Sequence, residues 1–286
     1  MSLSFLNISK SILRLLAAGF MVIFAPDVAW SAETLRLGVL PWREPEILHQ
    51  MMRPTLQLLE RQLGQPVELV ISHDYAELGK RLSSKAVDLA MFGGASYIEA
   101  KDKDASIRYL VTLKNPDDHY FSYILVRKDS PLQTLADVRG KSLGLTDKQS
   151  TSGYLFPTYM LLKANIDPAK DTRLFLLKKH PKVYEAVARG TVDAGGVDSG
   201  AYQDAVKANG DVFRVLAKSD PIPRDPVVAG GHVPADLAER VRDILAHAEQ
   251  DPPFKSAGGE IVGYSALNDA FYDSVRATRD LNLGAR

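Results

Sequence analysis

Ser150, Thr151 and Ser152 stand in a row, followed by Gly153 and then by Tyr154, Leu155, Phe156 and Pro157. A hydroxyl ahead of an apolar helical stretch accepts a backbone N–H and caps the helix, stabilising it by ~1 kcal/mol. One cap suffices, yet three hydroxyls are present. Proline is tolerated near a helix start, so the N–H groups between Thr151 and Phe156 are expected in a first, unbonded turn. Such a turn carries partial positive charge and attracts anions. Gly153 would let an oxyanion come close to the backbone. Capping and anion binding are both open on these residues.

Other residues stand at element ends where a ligand could be met. His180, in KKHPKVYEAV, follows the strand-like RLFLLK and precedes a helical stretch. It is either a cleft residue or a surface histidine at a helix start. Asp225 lies between prolines in DPIPRDPVV, where it either faces a ligand or completes a solvent-facing turn. Tyr75 in HDYAEL and Tyr120 in DHYFSYILV either wall a ligand or pack as ordinary core or surface aromatics.

The elements that position these groups alternate between period-2 and period-3.6 patterns. Leu35, Leu37 and Val39 form a strand, and Ile47, Met51, Leu58, Leu59 and Leu63 mark a helix that stops at Gly64. PVELVI, VDLAMFG, IRYLVTL, YFSYILVRK, KSLGLT, RLFLLK and FRVLAKS read as further strands, with helices between most of them. Alternation of this kind implies α/β layers with largely parallel sheets. VDLAMFGGASYIEA aligns without gaps on VDAGGVDSGAYQDA about 105 positions further on, with Glu99 matching Asp204 in type. Solenoid periods are ~20–50 residues, so the echo predicts one unit used once in each of two lobes. Ligands of open α/β sheets bind at the carboxyl ends of strands, which places a site in a cleft between the lobes. The proline-rich segment 220–228 and RKDSPLQTL (127–135) are the expected crossings.

Composition restricts the classes available. The chain of 286 residues has 45% hydrophobic and 24% charged residues and zero formal net charge. A broad nucleic-acid surface, which needs a basic excess, is not expected. The absence of cysteine excludes a lipoprotein anchor, disulfides, a cysteine nucleophile and thiolate metal sites. The motifs HExxH, GxSxG and GxxxxGK[ST] are absent, so neither an enzyme nor a metal or other cofactor is expected. Residues 1–32 carry Lys10 and Arg14, an apolar run from Leu15 to Phe24, and small residues at Ala29, Ser31 and Ala32. That is the order of a cleaved signal peptide, which predicts a protein exported beyond the inner membrane.

STSG with YLFP, DYAEL, VDLAMFG, YILVRKDSPLQTLADVRGKSLG, a histidine before a helix, GTVDAG and IPRDP occur in this order. The set resembles the periplasmic binding proteins for phosphate, phosphite and phosphonate of ABC importers, from about Leu35 to about Val228. The resemblance implies a two-lobed, hinged α/β periplasmic binding protein of type II with its ligand in the interlobe cleft. It implies that Ser150, Thr151 and Ser152 hold a phosphorus oxyanion, that His180 bonds one of its oxygens, that Tyr75 and Tyr120 line the cleft, and that Asp225 meets the ligand from the second crossing. Relatives that bind aminoalkyl phosphonates carry a carboxylate where this chain has Gly200, with Asp198 two residues away, so a small ligand is expected.

The expected organisation is a signal peptide over 1–32, one lobe from 33–125 plus 227–286, and a second from 126–226. The expected function is capture of phosphate, phosphite or a small phosphonate for a membrane permease by a monomer in the periplasm. The alternative is presentation of the ligand to a periplasmic domain of a histidine kinase or chemoreceptor.

Overall fold

The structure is a computed structural model that describes residues 33–284; the signal peptide expected over 1–32 lies outside them. In chain order the first elements are β1 (Leu35–Val39), α1 (Pro45–Leu63), β2 (Val67–Ile71), α2 (Tyr75–Ser83), β3 (Leu89–Met91), α3 (Gly94–Lys103), β4 (Arg108–Lys114), β5 (His119–Tyr120) and β6 (Ser122–Arg127). There follow β7 (Ser142–Leu145), a π-helical turn (Thr151–Leu155), α4 (Phe156–Lys163), α5 (Pro168–Asp171), β8 (Arg173–Leu176), α6 (His180–Ala188), β9 (Ala194–Asp198) and α7 (Ser199–Asn209). The chain ends with β10 (Phe213–Lys218), β11 (Ile222–Pro223), β12 (Pro226–Ala229), α8 (Ala235–Ala246), α9 (Pro252–Ser256), β13 (Gly263–Ser265) and α10 (Asp273–Gly284).

Two sheets carry the fold. One has the order β13-β4-β12-β3-β1-β2 and the other β10-β6-β9-β7-β8. In the first, β1 lies parallel between β2 and β3; in the second, β7 lies parallel between β8 and β9. Parallel strands buried on both faces read as apolar runs, and Leu37, Val39, Leu89 and Met91 are all within 1% of full burial. Met52 and Leu59 of α1 cover one face of the first sheet, and Leu78, Phe92 and Tyr97 the other.

The echo in the sequence is an echo in structure. β3 and α3 recur as β9 and α7 at the same offset of about 105 residues. The aspartate of each copy performs the same task. Asp88 accepts the Arg36 N–H at 2.8 Å, and Asp193 accepts the Ser142 N–H at 2.8 Å. Each therefore ties its own strand to the neighbouring strand of the same sheet, which fixes register where a one-residue slip would turn every side chain over.

Between the sheets runs a two-stranded ribbon. β5 and β11 pair antiparallel, with Ile222 opposite Tyr120 and Pro223 opposite His119. The sequence reads YFSYILVRK (120–128) as one strand, but the chain breaks its pairing at Phe121: β5 belongs to the ribbon and β6 to the second sheet. The first passage between sheets is therefore at 115–121, and the crossing expected at 127–135 is corrected. Arg127 is the last residue of β6, paired with Phe213, and 127–135 stays within the second-sheet half. The chain accordingly enters that sheet at Ser122, before the expected start of the second lobe at 126. The second passage, 219–225, coincides with the proline-rich segment, whose prolines cannot donate to a ladder.

Candidate functional site

A cleft of about 510 Å³ opens where the two sheets face each other across the ribbon. Tyr75, Tyr120, Ser150, Thr151, Ser152, His180, Asp198, Gly200 and Asp225 all line it. The sequence expectations thus converge on one place, though they come from α2, β5, the π turn, α6, β9, α7 and the segment after β11.

The π turn explains the hydroxyl run. Ser150 is the cap, its side chain accepting the Gly153 N–H at 3.1 Å. The Leu155 N–H bonds to the Ser150 carbonyl at 3.0 Å, and the Phe156 N–H to the Thr151 carbonyl. The expectation that every N–H from Thr151 to Phe156 is free is therefore corrected: the wide turn closes several of them. The N–H groups of Thr151 and Ser152 stay outside this ladder. The Thr151 hydroxyl accepts the Ala95 N–H at 2.9 Å, from the first turn of α3 in the other half. A hydroxyl that already accepts an N–H still has its own proton to donate. Capping and anion donation are thus compatible in the same side chains. Gly153 serves packing: a Cβ there would come 2.1 Å from the Thr146 hydroxyl oxygen.

The two tyrosines lie against the hydroxyls. Tyr75 opens α2 just after the cap Asp74, whose carboxylate accepts the Glu77 N–H at 2.8 Å. Burial pushes its phenol far above the usual range, opposed by hydrogen bonding with Ser150. Tyr120 is half-buried; enclosure and the Asp225 charge push its phenol up, against bonds with Ser152 and Thr151. Both remain neutral donors at physiological pH.

His180 is 3% exposed, so it is not the surface histidine that its place at the start of α6 also permitted. Its Nδ1 accepts the Asp198 N–H at 3.3 Å. That bond puts the proton on Nε2 of the neutral ring. Burial lowers its pKa, with Asp198 opposing and Arg43 adding to the shift. Asp198 in turn caps α7, accepting the Ala201 N–H at 2.8 Å.

Asp225 is held between Pro223 and Pro226, and its carbonyl accepts the Leu113 N–H at 2.9 Å. Its accessible surface is partial and faces the cleft, while protein encloses the carboxyl at longer range. That enclosure pushes its pKa up to about 7, against the opposing charge of Arg224 and with Asp198 adding. Arg224 is engaged elsewhere: it donates to the carbonyls of Asp117 and Asn115 and so pins the first passage to the second.

Sequence reasoning missed Arg43. It lies just beyond β1, at the carboxyl end of a central strand, and only that position signals it. Its guanidinium donates to Glu260 at 2.8 and 3.1 Å and lies 3.1 Å from Asp204 of α7. The cleft is not basic: Asp117, Asp198, Asp204, Asp225 and Glu260 line it beside Arg43, Lys207 and Arg224.

Two lobes, each a sheet with the same strand–loop–helix unit, joined by a ribbon and lining a cleft at their strand ends, define a two-lobed periplasmic binding protein fold. Residues 37–272 match the family described as "ABC transporter, phosphonate, periplasmic substrate-binding protein", and the chain belongs to that family. It is 28% identical over 260 residues to the phosphonates-binding periplasmic protein of Escherichia coli K12, covering 88% of this chain and 74% of that one. It is 26% identical over 275 residues to a phosphate-import protein of Mycolicibacterium smegmatis, covering 87% and 86%. A solved Prochlorococcus marinus protein in complex with methylphosphonate superposes with a TM-score of 0.79 at 18% identity, covering 87% of this chain and 98% of that one. Among the described residues no helix is long and apolar enough to cross a membrane.

Proposed function

We propose that this protein captures a phosphorus oxyanion (phosphate, phosphite or a small phosphonate) in the periplasm and delivers it to the permease of an ABC importer. The observation that carries the reading is the donor set at the π turn. The hydroxyls of Ser150, Thr151 and Ser152, two unladdered N–H groups, the Tyr75 and Tyr120 phenols and the His180 ring meet in a cleft whose charged side chains are mostly acidic. Neutral, preorganised donors bind an anion without needing a cationic pocket. Asp225 acts as the selector. A carboxylate repels an anion unless a proton lies between them; a P–OH group brings one, and sulfate at neutral pH does not. A site left with an unpaired buried charge rejects the wrong ligand strongly. The names of the relatives, which span phosphonate and phosphate, agree with this ligand class.

The test is a thermal-shift panel on residues 33–286 with phosphate, phosphite, methylphosphonate, 2-aminoethylphosphonate, arsenate and sulfate. A ligand at ~100 times its Kd adds ~2.7 kcal/mol to stability. A clear rise with a phosphorus oxyanion and none with sulfate at pH 8 is expected; no rise with any phosphorus oxyanion refutes the reading.

A further inference from the structure

We propose that Arg43, seated over Gly200, sets the size of the fourth substituent the cleft admits, and that the ligands are phosphorus oxyanions bearing only hydrogen, hydroxyl or methyl there. This rests on the oxyanion reading above and names the substrate class within it.

The side chain of Arg43 is 14% exposed and spans the cleft. One end of its guanidinium is fixed to Glu260, ahead of β13 in the first lobe, at 2.8 and 3.1 Å; the other meets Asp204, on α7 of the second lobe, at 3.1 Å. Planar guanidinium held in this forked way does not swing aside as an ammonium on a flexible stem would. Position 200 is fitted to it. A Cβ on Gly200 would lie 3.4 Å from Arg43 Nη2 and 3.0 Å from Asp198 Oδ1, so a longer side chain there would compete with the guanidinium for the same space. Arg43 is also near enough to His180 to disfavour its protonation. Arg43 lines the same cleft as Ser150, Thr151, Ser152 and His180 and lies against Gly200 at the start of α7.

A ligand substituent longer than methyl that extends towards α7 has to displace this bridge. Doing so strands Asp204 and Glu260 without their shared cation, and breaking one partner out of a partly buried ion pair is unfavourable. The bridge also joins the lobes, so a ligand that breaks it opposes closure as well.

The experiment is calorimetric titration of residues 33–286 with phosphite, methylphosphonate and n-propylphosphonate. The wild type is expected to bind methylphosphonate at least ten times more tightly than n-propylphosphonate. Arg43→Ala is expected to narrow that ratio to less than threefold, chiefly by tightening the propyl ligand. Asp204→Asn releases the guanidinium from α7 without removing it and is expected to narrow the ratio too, which keeps the proposal testable if Arg43→Ala does not fold. A wild type indifferent to substituent length, or a ratio unchanged in the folded variants, overturns the proposal alone. A wild type that binds none of the three overturns this proposal, and one that also fails to bind phosphate overturns the oxyanion reading with it.

Discussion

Glu99 and Asp204 hold equivalent positions in the two copies of the strand–loop–helix unit, and each bonds to a residue of the opposite lobe. Glu99 accepts the side-chain N–H of Gln149 at 2.6 Å, immediately before the hydroxyl run, and Asp204 meets Arg43 at 3.1 Å. The repeat therefore supplies two interlobe bonds, one of them, Asp204 to Arg43, in the cleft itself. Bonds between lobes favour the form in which the lobes are together. A hydrogen bond of this kind contributes ~0.5–1.5 kcal/mol net, and the partial exposure of Glu99 keeps it at the lower end. Glu99→Ala is expected to weaken oxyanion binding about threefold, mainly through faster release, with little change in melting temperature. Stopped-flow dissociation and calorimetry check this; an unchanged release rate would mean that the bond is not part of closure.

Gly153 offers a separation of packing from binding. Its absent side chain makes room for Thr146, whose Oγ1, Cγ2 and Cβ would lie 2.1, 2.5 and 2.8 Å from a new Cβ. Overpacking of this order costs ~1–3 kcal/mol. Gly153→Ala is expected to lower stability by that amount in denaturant titrations, and Thr146→Ala is expected to restore part of it by removing the two nearest atoms. Equal losses in the single and double variants would show that the strain lies elsewhere in the turn.

Much of this was readable from the chain because it is local. Hydrophobic period gave the alternating elements, and the matched strings at 87–100 and 192–205 gave the two lobes, since a repeated unit repeats its burial pattern. The strand ends that such units share pointed to the cleft, and every expected site residue lines it. What could not be read depends on partners distant in sequence. Arg43 and Glu260 are 217 positions apart, and no local pattern pairs them. The break at Phe121 is hidden because the apolar alternation of the ribbon continues smoothly into β6. The role of Gly153 is likewise set by Thr146, which packs on it from the preceding strand end.

His180 links stability to pH on the acid side. Its pKa is held below the usual 6.5 by burial, against the pull of Asp198. The unfolded chain then takes up a proton near 6.5 that the folded chain refuses, so this group's contribution is intact above that pH and is lost as pH falls below it. His180→Gln keeps a neutral amide in the site and is expected to flatten that part of the ligand-free stability profile between pH 7 and 5. It is also expected to weaken oxyanion binding about tenfold or more at pH 7.5, the loss of one donor in a closed site. Chemical denaturation across pH and calorimetry at pH 7.5 read the two effects independently.

Asp225 links binding to pH with the opposite sign. Its pKa is raised from 3.8 to about 7 in the ligand-free cleft. The folded chain holds a proton there that the unfolded chain releases, so the group's contribution to stability falls as pH rises from about 4 to about 7 and stays at its lowest above that. Binding follows from the same proton. A phosphorus oxyanion whose second pKa is ~6, as in phosphate esters, and a carboxyl at about 7 need one proton between them in the complex. Above pH 7 both partners have lost it, so each complex must take one up, and affinity is expected to fall up to tenfold per pH unit. Titrations in two buffers of different ionisation enthalpy count that proton directly. Sulfate has no proton to share at these pH values, so only neutral Asp225 can receive it. Sulfate is therefore expected to be rejected at pH 8 and bound weakly at pH 6. Asp225→Asn carries a permanent donor and is expected to bind sulfate at both pH values and to lose the pH dependence for phosphite. Sulfate rejection that survives in Asp225→Asn, or phosphite binding that takes up no proton at pH 8, would remove Asp225 from the role of selector.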